Sequence, residues 1–217
     1  MRGLRPLPKT PDENSNNALE GKDVKEGLSV AFSDGTFHGI KHVVFYDGEL
    51  YIGGEIYSGA DSFALDVKKS LNNLWMSKTA RMIVQSLQKS TRHVYTINQT
   101  TQQGEGKGSR NVASMCYWNN SNPEAVNIEG GKIQADSAIV LIHELGHAYN
   151  FETDKGYEGY VDPDNLLEKE EEETSHLENL VRVETNKPLR TAYSVPIVKN
   201  KSRIYTPPGA TKHIYRK

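Results

Sequence analysis

The chain has 217 residues, 36% of them apolar, and a formal net charge of -2. That length suffices for one domain with its own core, and so small a charge gives nucleic acid and anionic membrane surfaces no electrostatic footprint to bind. One cysteine, Cys116, excludes an internal disulfide and points to a reducing compartment, while no apolar run approaches the roughly 20 residues of a membrane span.

Residues 1 to about 27 are rich in Pro, Asn, Ser, Gly and charge. They carry too little apolar surface to offset the entropy of ordering, so a disordered segment is expected. It lacks the apolar stretch of a Sec-type signal. Folding signals begin near Leu28. Val43–Tyr46 and Glu49–Ile52 read as strands joined by an Asp47-Gly48 hairpin turn. Asp61 or Ser62 can cap a helix carrying Phe63, Val67, Leu71 and Leu74, with Ala80, Ile83 and Leu87 on a second helix or a continuation. His93–Ile97 reads as a strand and residues 99–111 as a flexible polar loop. Ala113–Trp118 and Ala125–Ile128 read as two more strands. A helix is expected over Ile133–Asn150, capped by Asp136 or Ser137. After a loop at 151–165, an acidic helix runs from about Leu166 to Val183 and ends before Pro188. The segment after about Lys199 is basic and expected to be mobile.

The helix over Ile133–Asn150 contains His143-Glu144-Leu145-Gly146-His147. Histidines four apart stack on one helix face, one turn from each other, so two imidazoles can converge on one metal ion. Glu144 points beside that ion, where it can take a proton from water that zinc makes acidic and pass it to a leaving amine. This is the chemistry of a zinc-dependent peptidase. A catalytic zinc usually takes three protein ligands. Asn150 and Thr153 stand where a metzincin would have Gly and His, so the third ligand must come from elsewhere. The dense supply is the run over residues 168–179. Leu177 and Val181 define an apolar stripe on which Glu170 and Glu173 roughly lie, and His176 is a further candidate. Phasing alone leaves the choice open.

Other chemistry-bearing residues have blander readings. Cys116 sits in an apolar strand as a small buried hydrophobe. His38, His42, His93 and His213 have no ligand spacing. Gly104–Gly108 opens no helix and lacks the Lys-Ser/Thr of a phosphate loop.

The HELGHA segment, the Glu-Glu pairs that follow, Glu178-Asn179, Arg182, Glu184 and Pro188–Tyr193 together resemble the NleD-like zinc metalloproteases. These are effectors injected by bacterial pathogens through type III secretion, and the HopH and XopG types look closest. The layout is also similar to clostridial neurotoxin light chains, with HExxH, a Glu-Glu pair and an Arg-x-x-Tyr motif. The resemblance covers roughly residues 136–195. It implies that the second Glu of the pair binds zinc. Aligned through Thr174 and Glu178-Asn179, this makes Glu171 the third ligand beside His143 and His147, with Glu170 as its supporting partner. It also implies that Arg190 and Tyr193 stabilise the negative charge that builds on the attacked carbonyl oxygen.

The expected fold is α+β and zincin-like: a small mixed or antiparallel sheet packed on the HExxH helix, with one zinc held between that helix and the acidic one. The expected domain limits are 28–199 for the catalytic unit and 200–217 for a flexible tail. The expected activity is endoproteolysis by a monomer acting in the host cytosol, with host signalling proteins as substrates; the resemblance suggests mitogen-activated protein kinases. Two rivals are a zincin scaffold that binds without cutting and a zinc amidase acting on small peptides.

Overall fold

The structure is a computed structural model that describes residues 27–33, 40–99, 110–112, 114–120, 125–129, 131–153, 163–197 and 201–205. The expected disordered N-terminal segment and most of the expected 99–111 loop lie outside these residues. The elements are β1 (Leu28–Ser33), β2 (Ile40–Tyr46), β3 (Glu49–Ile52), β4 (Glu55–Ile56), α1 (Ser62–Asn73), α2 (Lys78–Gln88), β5 (Thr96–Gln99), β6 (Arg110–Val112), β7 (Met115–Trp118), β8 (Ala125–Ile128), β9 (Gly131–Gln134), α3 (Ser137–Glu152), α4 (Pro163–Glu184), β10 (Arg190–Ile197) and β11 (Lys201–Tyr205).

The protein is mixed α+β. A seven-stranded sheet has the order β4-β3-β2-β1-β5-β7-β6, and a four-stranded sheet has the order β11-β10-β8-β9. The larger sheet is mixed, with β1 and β7 both parallel to β5; it is not the small sheet expected from sequence. The Asp47-Gly48 hairpin forms as expected, with φ of 47° and 89°, and Gly53-Gly54 repeats that geometry between β3 and β4 with 59° and 88°. Both turns need the left-handed backbone that Asp and Gly tolerate.

Several boundaries move. Ile133 belongs to β9, and α3 starts only at Ser137, because the Asp136 carboxylate caps the amides of Ala138 and Ile139. His93 precedes β5, and Ser114 precedes β7. Arg110 and Asn111, expected at the end of a loop, form with Val112 an edge strand on β7. Lys201–Tyr205, expected in a mobile tail, forms β11 against β10. The end of α4 is set earlier than Pro188: Asn186 takes φ 60°, the Lys187 amide bonds Arg182 O and the Asn186 amide bonds Val183 O. That is a Schellman cap with Asn in the left-handed position.

One core joins the larger sheet to all four helices, and α3 runs through it. Twelve of its sixteen residues are buried, as expected for a helix surrounded on every side. Its ends are fixed by neighbours. Trp118 Nε1 donates to Ser137 O at the start, and the Tyr95 and Ser90 hydroxyls donate to the Glu152 carboxylate at the finish. The Glu184 carboxylate at the end of α4 accepts from Ser77 and Thr79 and so caps α2. Helix α4 is thereby tied to the start of α2. Among the described residues no helix is long and apolar enough to cross a membrane.

Candidate metal centre and active site

His143 and His147 lie one turn apart on α3, with ring centroids 4.8 Å apart and planes at 88°. Their Nε2 atoms face each other at 3.2 Å. From α4, Glu171 Oε2 reaches to 3.5 Å from His143 Nε2 and 3.6 Å from His147 Nε2. Ligands about 2.1 Å from a tetrahedral ion stand roughly 3.4 Å apart. The three observed edges match that spacing, so the donors fit a metal ion. Among the described residues, this is the one group of three or more His, Cys, Asp or Glu side chains arranged to hold one.

Of the acidic run, the packing of α4 brings Glu171 to the histidines. Glu171 faces the histidines, whereas Glu173 and His176 are half-buried and outside the group. The apolar stripe does not carry Glu173 to the histidines, because α4 meets them through Glu171, Thr174 and Glu178, three and four residues apart. The Glu170 side chain lies outside the described residues.

The far nitrogen of each imidazole is also engaged. His143 Nδ1 is 2.9 Å from Glu178 Oε2, and His147 Nδ1 is 3.2 Å from Thr174 Oγ1. The Thr174 hydroxyl also accepts from Asn150 Nδ2 at 2.9 Å. An Nδ1 proton held this way leaves the Nε2 lone pair of a neutral imidazole directed at the metal position. Sequence reasoning missed the parts played by Asn150, Thr174 and Glu178. Thr174 and Glu178 stood in the motif, but spacing alone gives no sign of which histidine each would meet.

Glu178 is almost fully buried and shared among three partners. Its Oε1 accepts from Arg182 Nε at 2.7 Å, and its Oε2 from Arg190 Nη1 at 2.8 Å as well as facing His143. Burial would raise its pKa; the Arg190 charge, the bond and charge of His143, and the Arg182 charge outweigh it and hold the carboxyl well below the usual range. Burial likewise opposes the charge on Glu171, but His143, His147 and Arg190 keep its pKa low. For His143 burial works downward, and hydrogen bonds to Glu171 and Glu178 with their charges override it, lifting the pKa of the metal-free ring from 6.5 to about 10.

Glu144 is buried on α3 beside His143. Its charge, after burial itself, helps push the pKa of Cys116 on β7 far upward. Cys116 is buried in its strand, in keeping with the bland reading, and stays a thiol. Arg190 opens β10 and is tied to α4 through its backbone: its amide donates to Asn179 Oδ1 at 2.8 Å, and Asn179 Nδ2 donates to Arg190 O at 2.9 Å. The pairing of β10 with β8 shifts between Arg190 and Ala192, the signature of a bulge. Tyr193 follows on β10, in register with Tyr205 on β11; its side chain lies outside the described residues.

Residues 54–175 match the model of peptidase M91, described as an effector protein, over more than half of the chain. The chain belongs to the peptidase M91 effector family. The matched span holds His143, Glu144, His147, Glu171 and Thr174; Glu178, Arg182, Arg190 and Tyr193 lie beyond it. Membership of the M91 family makes the chain a peptidase effector, whose substrate is a host protein. Neither the curated proteins nor the solved structures contain a match to it.

Proposed function

We propose that this M91 effector is a zinc-dependent endopeptidase that cuts a host signalling protein after type III delivery, with a zincin-like catalytic unit over 28–199. The observation that carries the reading is the convergence of His143, His147 and Glu171 in a chain of peptidase family. Its resemblance to HopH- and XopG-type effectors makes mitogen-activated protein kinases the first substrates to test.

In this reading His143, His147 and Glu171 hold one zinc ion. Bound there, zinc would polarise the scissile carbonyl and bring the pKa of water towards neutrality. Glu144, next to His143 but not converging with the ligands, accepts the proton of the attacking water and returns it to the leaving amine. Arg190 and Tyr193 stabilise the charge on the carbonyl oxygen, a contribution realised in the transition state rather than the ground state. Pinned by Glu178 and by the Asn179 clamp, Arg190 needs little reorganisation to do so.

The test pairs the purified protein with its Glu144→Ala variant. Metal content is measured, and both are incubated in host-cell lysate and assayed for new protein N-termini. About one zinc per chain in each, with cleavage by the wild type only, is the expected result. Zinc without cleavage would favour a binding scaffold or a small-peptide amidase. No zinc in either protein would end the reading.

A further inference from the structure

We propose that Arg182 is a positioning residue for the active site, acting through Glu178, an inference that rests on the proposed metal centre. Arg182 is 1% exposed, and so complete a burial of a guanidinium is unfavourable unless specific partners compensate. It lies one turn after Glu178 on α4 and cannot reach the converging ligands except through that carboxylate. Its Nε donates to Glu178 Oε1 at 2.7 Å, and its Nη1 donates to Pro188 O at 3.1 Å.

The arrangement matters because of how a glutamate carboxylate turns. Its terminal torsion is soft and roughly two-fold, so the side chain alone does not fix which oxygen faces which partner. Here the two oxygens have different tasks. Oε2 accepts from Arg190 Nη1 and lies 2.9 Å from His143 Nδ1, and Oε1 accepts from Arg182 Nε. Arg182 therefore sets the carboxylate plane. One rigid group then orients a proposed zinc ligand and the proposed carbonyl-stabilising arginine together. The second bond, to Pro188 O, ties the same guanidinium to the corner that leads into Arg190, while Asn179 holds the Arg190 backbone. Helix α4 thus presents both halves of the chemistry in a fixed relation, with Arg182 touching neither metal nor substrate.

The experiment compares wild type with Arg182→Gln, Glu178→Gln and the double variant. Two readouts are used: the His143 Nδ1 proton in the nitrogen-correlated NMR spectrum of metal-free protein, and zinc affinity by chelator competition. Loss of the Nδ1 proton from slow exchange in Arg182→Gln is expected, with zinc binding weaker by about ten- to a hundredfold. The double variant should be no weaker than Glu178→Gln alone, because both remove one interaction chain. Losses that add would overturn the proposal, as would an unchanged Nδ1 proton in Arg182→Gln. If wild type takes up no zinc yet its Nδ1 proton depends on Arg182, the metal reading fails and the positioning role stands. If Arg182→Gln does not fold, Arg182→Lys keeps the buried charge but not the Nε geometry. It should show the same losses in milder form, and wild-type behaviour in it would refute the role.

Discussion

Gly146 offers a sharp test of the helix packing that builds the site. A Cβ at this position would stand 3.1 Å from Thr174 Cγ2 and 3.9 Å from Leu177 Cδ1. Carbon atoms prefer about 3.5–4.0 Å, so the first contact must give by several tenths of an ångström. Thr174 has little room to yield. It is fully buried, and its hydroxyl accepts from Asn150 while facing His147. Relief must come from α4 moving away from α3, and Glu171 moves with it. Two terms compete in Gly146→Ala. Alanine favours a helix interior by about 1 kcal/mol over glycine, whereas overpacking costs about 1–3 kcal/mol. Stability of the metal-free protein should therefore fall by no more than about 2 kcal/mol. Zinc affinity should fall by at least about tenfold, since separation of the helices stretches the Glu171 edges of the ligand triangle. Urea unfolding of metal-free protein and chelator competition give the two quantities. A variant about 1 kcal/mol more stable than wild type, with undiminished zinc affinity, would show that the interface gives freely and would refute the reasoning.

Among the glutamates of the acidic run, only Glu171→Ala should abolish zinc retention, with Glu170, Glu172 and Glu173 tolerating alanine; retention by Glu171→Ala would reassign the third ligand. Tyr193→Phe should keep zinc and substrate affinity but slow turnover by about ten- to a thousandfold, and an unchanged rate would remove its role. Because a metal ligand must be neutral, zinc has to displace the proton that Glu171 and Glu178 hold on His143 up to about pH 10. Zinc affinity should then rise with pH, approaching tenfold per unit between about pH 7 and 9, and a flat profile by chelator competition would contradict this. The same group stabilises the metal-free fold in the opposite sense. Its folded pKa is raised, so the contribution is complete below 6.5 and is lost as pH rises through about 10, which urea unfolding across that window should reveal.

The elements that sequence placed best are those whose signals are local. The Asp47-Gly48 turn, the Asp61 and Asp136 caps and the spacing of Phe63, Val67 and Leu71 each depend on a few neighbouring residues. The pieces it missed depend on distant partners. Arg110–Val112 has no strand-like composition and is extended because β7 offers an edge. Lys201–Tyr205 reads as a basic tail, and becomes a strand by pairing with β10. Ile133 continued the apolar pattern of α3, yet the Asp136 cap starts the helix after it.

The site divides along the same line. The two histidines and Glu144 belong to a single helix, so their relative placement follows from the rise and turn of that helix and can be read from four-residue spacing. The third donor comes from a second helix, and a run of four glutamates from 170 to 173 sweeps through almost a full turn. Which of them faces α3 depends on how α4 is rotated against it, a quantity with no signature inside the run itself. The structure fixes that rotation by contacts outside the run: the close approach of Thr174 to Gly146, and the engagement of Glu178 with His143, Arg182 and Arg190. The small residue inside the histidine motif and the polar residues beyond the acidic run therefore do more to select Glu171 than the glutamates around it, and they are the positions at which a change should alter metal affinity without touching a ligand.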